Sequence, residues 1–106
     1  MALLHMNSDD FNTYVTNGKG AVIVDFFATW CGPCKILSPV IEQIAAEYDG
    51  RITVGKLDID ENMEIAQALQ ISAVPTVMFF KDGKAVRTFV GVQPKPVLTA
   101  AAEALL

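Results

Sequence analysis

The chain has 106 residues, about half of them apolar and a fifth charged, and a formal net charge of −4. That size and composition fit one compact globular domain with a single hydrophobic core over residues 1–106. The negative charge and the scattered basic residues argue against a nucleic-acid or anionic-membrane partner, and no window approaches the ~18 apolar residues a membrane span needs.

The N-terminal "MALLHMNSDDF" has neither the basic region nor the apolar run of a signal peptide, and the leading Met1 speaks against a processed secreted form. The expectation is a soluble cytoplasmic monomer. A short strand near Leu3 to His5 precedes a first helix, with Ser8 as its N-cap, Phe11, Tyr14 and Val15 at helical spacing, and Asn17-Gly18 as its stop. Ala21 to Phe27, "AVIVDFF", is apolar except at Asp25, the pattern of a strand buried on both faces in the middle of a sheet. After it, Leu37, Val40, Ile41, Ile44, Ala45 and Tyr48 mark one face of a long helix that Pro39 should kink.

"RITVGKLDID" reads as a strand, and Asp60 as the cap of a third helix with Ile65, Ala66 and Leu69 on its apolar face. "TVMFF" and "AVRTFV" are strands joined by the hairpin turn Lys81-Asp82-Gly83-Lys84. Pro94 opens a last helix that buries Val97, Leu98, Ala101 and Leu105. The order β, α, β, α, β, α, β, β, α predicts an α/β fold, with parallel right-handed crossovers, an antiparallel closing hairpin and helices on both faces of a mixed sheet.

Both cysteines of the chain lie in "FFATWCGPCK", separated only by Gly32 and Pro33. If the long helix begins near Pro33, Cys31 sits at its N-terminus and Cys34 in its first turn on the same side, within reach. The partial positive charge and free N–H groups there favour a thiolate at Cys31. Cys34, against the core, keeps a higher pKa. This asymmetry describes a redox pair: Cys31 attacks a substrate disulfide and Cys34 resolves the mixed disulfide, leaving Cys31-Cys34 oxidised. The plainer readings are weaker. Zinc needs about four ligands where the chain offers two Cys and a distant His5. A structural disulfide closing so short a loop removes little chain entropy, and an inert buried pair is at odds with the partly exposed helix terminus expected at Cys31.

Asp25 reads either as a core aspartate paired with Lys56 of the neighbouring strand or as a buried base for the proton of Cys34, and the two are compatible. Pro75 in "SAVPT" reads as a strand start, and its isomer is not legible. Trp30, directly before Cys31, suits a rim or lid better than the core.

"VDFFATWCGPCK", Pro39, Lys56, "AVPT" and the glycine of "FVGV" stand in the order and at the spacing of the thioredoxin family, and the chain resembles it over essentially its whole length. The resemblance implies a central five-stranded sheet flanked by four helices, the site at the end of the second strand, and a cis peptide before Pro75. It implies that Cys31 attacks, that Cys34 resolves, and that Asp25 and Lys56 form the buried pair behind them. Trp30, Gly32, Pro33, Val74, Pro75, Gly91 and Val92 match the family's apolar docking surface, where Val74 offers its backbone to an extended substrate segment. The chain departs from the family at Phe27, where Trp is common, and at Gln70, where a glycine often ends the third helix.

The function so implied is protein disulfide reduction with no bound cofactor or metal. Electrons come from NADPH through thioredoxin reductase. Gly-Pro between the cysteines, with no His beside Cys34, resembles the reducing members rather than the disulfide donors. The alternative is a redox-independent binding subunit that uses the apolar patch around Trp30 and Pro75.

Overall fold

A computed structural model describes residues 2–106. The elements are β1 (Leu3–Met6), α1 (Ser8–Phe11) running into a π-helical turn (Asn12–Thr16), β2 (Ala21–Phe27), α2 (Gly32–Glu47), β3 (Thr53–Asp58), α3 (Met63–Ala68), β4 (Thr76–Lys81), β5 (Lys84–Val90) and α4 (Lys95–Glu103). Among the described residues the strands form one mixed sheet ordered β1-β3-β2-β4-β5. β1 and β2 run parallel to β3, and β4 is antiparallel to β2 and β5. The expected architecture is present, with β2 at its centre.

Alternation along β2 explains its nearly continuous apolar sequence. Ile23 faces a core built with Leu37, Ile41 and Ile44 of α2 and Leu98 and Ala102 of α4. Val22, Val24 and Phe26 face the opposite core, against Phe11 and Val15, with Ile65 and Leu69 at its edge. Each such side chain taken fully from water contributes roughly 1.5–3 kcal/mol. Asp25 is therefore a charged residue on the α2 side of a strand with no solvent face.

The cap of α1 is Asn7, not Ser8. Asn7 Oδ1 accepts the Asp10 N–H at 2.8 Å and Asp10 Oδ2 accepts the Asn7 N–H at 3.1 Å. A cap at Ser8 would have placed Phe11 three residues on, and a phenyl ring cannot reciprocate. The cap of α3 is Asn62, not Asp60. Asn62 Nδ2 donates to the Asp58 carbonyl at 3.0 Å, and its Oδ1 accepts from Ser8 Oγ at 3.2 Å, which ties the start of α3 to α1. Val97 is 38% exposed, contrary to expectation, because the buried stripe of α4 runs through Leu98, Ala101 and Ala102 and leaves Val97 on its flank. Pro39 removes one hydrogen bond from α2, which nonetheless continues to Glu47.

The β4–β5 turn places Asp82 at φ +50° and Gly83 at φ +84°, the left-handed pair that a two-residue hairpin needs. Asp82 also accepts the Gly20 N–H at 2.7 Å and so anchors the turn to the start of β2. α3 ends on a Schellman arrangement: the Gln70 N–H donates to the Gln67 carbonyl at 3.1 Å and the Ile71 N–H to the Ala66 carbonyl at 2.9 Å. Gln70 takes the left-handed position, at φ +57°, that glycine fills most cheaply. The chain thus leaves α3 by the glycine route without the glycine. Among the described residues no helix is long and apolar enough to cross a membrane.

Candidate active site

α2 begins one residue before the expected Pro33. Cys31 is its N-cap, with extended backbone (φ −90°, ψ 113°), and Gly32 is its first residue. Pro33 follows in the first turn, where its missing N–H leaves no helical bond unmade. The N–H of the third helical residue, Cys34, is one of the donors that needs an outside acceptor. Cys31 Sγ supplies it at 3.1 Å. A sulfur that accepts a backbone N–H at the positive end of a helix is better stabilised as thiolate than as thiol.

Cys31 and Cys34 form a disulfide, their Cα atoms 5.3 Å apart, within the usual range for such a bond. Both cysteines are 4% exposed. The partial exposure expected at Cys31 is therefore not found in the oxidised form. Ala28 and the half-buried Phe27, Ile59 and Val74 pack around the pair. The Val74 carbonyl oxygen lies 3.7 Å from Cys31 Sγ.

The Val74-Pro75 peptide is cis, and Pro75 is buried. The Pro75 carbonyl accepts the Gly91 N–H at 2.8 Å, with Gly91 at φ +89°, so the loop after β5 is fixed to the loop before β4. Val92 follows Gly91 and is exposed, as are Gly32 and Pro33. Trp30 is 69% exposed, a rim position rather than a core one. Its indole Nε1 donates to Asp60 Oδ2 at 2.8 Å. That bond is where the carboxylate expected to cap α3 is used. Ile36, exposed in the first turns of α2, adds an apolar residue near the thiols that the sequence reading passed over.

Asp25 and Lys56 are register partners on β2 and β3. The expected pairing stops there. The Lys56 ammonium donates to Ser38 Oγ at 3.2 Å and lies 4.4 Å from the centre of the Phe27 ring. Asp25 is 1% exposed, and among the described residues neither of its carboxylate oxygens has a hydrogen-bond partner. Burial pushes its pKa from the ordinary 3.8 up to about 6, against a smaller opposing pull from the Lys56 charge. Cys34, Ser38 and Lys56 line one cleft with Phe27, Ala28, Thr29 and Lys35, about 310 Å³ in volume. Asp25 is not in its wall.

Besides Ile36, two polar neighbours were missed from sequence. Asp60 carried the wrong role because an Asp before a helix reads first as a cap. Ser38 did leave a signal: a polar residue one helical turn after Cys34, between Leu37 and Pro39. Among the described residues no group of three or more His, Cys, Asp or Glu could hold a metal ion.

A family model described as Thioredoxin matches residues 2–104. Over 95 residues the chain is 44% identical to a thioredoxin of Staphylococcus epidermidis, with 90% of this chain and 89% of the relative covered. It is 45% identical to a thioredoxin of Staphylococcus aureus, over the same length and the same shares of each chain.

Proposed function

Because the chain belongs to the thioredoxin family, and is thereby a thiol-disulfide oxidoreductase of the protein disulfide reductase kind, we propose that Cys31 is its attacking thiol and Cys34 its resolving thiol. The observation that carries this division is the N-cap position of Cys31, whose sulfur accepts the Cys34 N–H at 3.1 Å. Among the described residues Cys34 has no such donor at its sulfur, and it sits inside the helix.

In the first step the Cys31 thiolate attacks one sulfur of a substrate disulfide. A bond forms between Cys31 and that sulfur, the substrate bond breaks, and the departing thiolate takes a proton from solvent. In the second step Cys34 gives its proton to Asp25, directly or through water, and attacks Cys31 Sγ. The Cys31-Cys34 bond forms and the second substrate thiolate leaves, so two electrons have passed from the protein to the substrate. Asp25 suits the acceptor role because burial raises its pKa to about 6, which makes its carboxylate a stronger base than an ordinary one while leaving it largely ionised at neutral pH. Lys56 supplies the positive charge beside it.

Trp30, Gly32, Pro33, Val74, Pro75, Gly91 and Val92 form the docking surface of this reading, supported by the contacts of Val74 with Cys31 and of Gly91 with Pro75. The exchange requires no bound cofactor. The electrons return from NADPH through a thioredoxin reductase in the cytoplasm, and the protein works as a monomer. The redox-independent reading is not favoured, since a surface used only for docking has no need of two thiols held within bonding distance.

The test is capture. After reaction with a disulfide-bonded protein, Cys34→Ser should accumulate a covalent adduct through Cys31 that mass spectrometry detects, and Cys31→Ser should not. Adducts formed through Cys34 in the Cys31→Ser variant at the same rate would reverse or abolish the assignment.

A further inference from the structure

A cross-sheet row on the face covered by α2 runs through His5 on β1, Lys56 on β3, Asp25 on β2, Val77 on β4 and Phe89 on β5. Neighbours in such a row stand roughly 5 Å apart and point the same way, so the Lys56 side chain has Asp25 within reach. It goes elsewhere. Its ammonium donates to Ser38 Oγ at 3.2 Å and covers the Phe27 ring, while both Asp25 oxygens are buried and without a partner among the described residues. An uncompensated buried charge is costly, so a carboxylate left alone beside a reachable cation points to something that holds the cation elsewhere. Ser38 provides it. It stands four residues after Cys34, on the same face of α2, and lines the cleft that Cys34 and Lys56 share.

We propose that Ser38 is a positioning residue: its hydroxyl holds the Lys56 ammonium off the Asp25 carboxylate, so that Asp25 can accept the proton that Cys34 loses when it resolves the mixed disulfide. The inference rests on the reading of Asp25 as that acceptor. In the step concerned the Cys31-Cys34 bond forms, the bond from Cys31 to the substrate sulfur breaks, the electron pair leaves with the substrate thiolate, and the proton of Cys34 passes to Asp25. Without the hydroxyl, Lys56 is free to swing to the carboxylate, and a cation in contact weakens a carboxylate as a base. In the row through Asp25 the charged and titratable groups are Lys56 on β3 and His5 on β1, with Asp58 two residues on along β3 and Cys34 and Lys35 in the first turn of α2; Glu42 and Glu47 of α2, Lys81 of β4, and Lys84 and Arg87 of β5 lie farther along their elements. To the row itself β4 and β5 contribute Val77 and Phe89, which carry no charge.

The experiment mixes the reduced, full-length protein with excess dithiobis(nitrobenzoate) and follows the coloured thiolate by stopped flow across roughly pH 5 to 9. The first release depends on reagent concentration. The second does not, and it reports the attack by Cys34. In the unaltered protein the second rate rises with pH as Asp25 loses its proton. Ser38→Ala should move the midpoint down by about one pH unit and lower the plateau, as expected for an acid that gains a contacting cation. Ser38→Thr, which keeps the hydroxyl, should restore the original profile, and Ser38→Ala should change nothing in a Lys56→Met background. His5→Asn should leave the midpoint in place, which excludes the imidazole as its source.

If Asp25→Asn flattens the profile but Ser38→Ala superimposes on the unaltered protein, Ser38 has no positioning role and the Asp25 reading stands. A Ser38→Ala shift that persists in Lys56→Met also overturns the proposal, because the hydroxyl then acts by another route. If Asp25→Asn leaves the profile intact, the acceptor reading fails and the role of Ser38 falls with it.

Discussion

Asp25 and Lys56 face each other across adjacent strands, yet their charges do not meet. The lysine donates to Ser38 and lies against Phe27, while the carboxylate is buried and, among the described residues, has no hydrogen-bond partner. A protein selected for stability alone would place an apolar side chain at that position of β2. The cost of the charge makes Asp25 the clearest place where this fold gives up stability for chemistry.

That cost has a definite pH dependence. The folded pKa, about 6, lies above the ordinary value of 3.8, so between these values the folded state binds more protons than the unfolded one. Stability contributed by the proton is fully present below about pH 4 and is lost as pH rises through about 6. The difference, roughly two pKa units, corresponds to about 3 kcal/mol. Asp25→Asn should therefore gain about 3 kcal/mol relative to the unaltered protein between pH 3 and pH 7. Urea unfolding at both pH values checks this, and a gap that stays constant with pH would contradict it.

Trp30 is the only tryptophan, and Asp60 anchors its exposed ring through one hydrogen bond. Asp60→Ala should free the indole to move faster on the nanosecond scale at a stability cost of no more than about 1 kcal/mol, since the bond is exposed. Time-resolved fluorescence anisotropy of Trp30 reads the motion directly. Unchanged anisotropy would mean that packing, not Asp60, orients the ring.

Gln70 holds a left-handed backbone at φ +57° to close the Schellman end of α3. A side chain there costs roughly 1–2 kcal/mol, of which glycine returns part through its larger unfolded-state entropy. Gln70→Gly should raise stability by about 0.5–1 kcal/mol in urea unfolding, with activity unaltered. A loss of stability would show that the glutamine side chain makes a contribution larger than the strain.

The reduction potential of Cys31-Cys34 should lie on the reducing side of its fold class. With Gly-Pro between the cysteines and no histidine beside Cys34, the helix terminus and the Cys34 N–H are what stabilise the Cys31 thiolate among the described residues. The reference values are about −270 mV for thioredoxin and about −120 mV for a strong disulfide donor. Equilibration in dithiol buffers, followed by Trp30 fluorescence, should place the protein near the first. A value near the second would assign it to disulfide formation.

Much of this site was legible because its signals are local. The spacing of Cys31 and Cys34, the helical periodicity behind them and the alternation that buries β2 each depend on residues a few positions apart, where backbone geometry fixes who faces whom. Asp25 was conspicuous for the same reason, as a charge in an apolar strand. The partners of polar groups were not legible. Asn7 and Ser8 are nearly equal as caps, and only the reciprocal bond from Asp10 selects Asn7.

By itself the sequence determined the order of elements, the mixed sheet, the redox pair at a helix N-terminus and the family to which the chain belongs. The tertiary structure alone decided that Lys56 is bonded to Ser38 instead of Asp25, that Asp60 serves Trp30 instead of α3, and that Asn62 joins α3 to α1. These bonds join residues 18, 30 and 54 positions apart. Competing partners for one polar group differ by only about 1 kcal/mol, too little for composition or spacing to rank. The choice is made when packing brings one of them within about 3 Å and holds the others away.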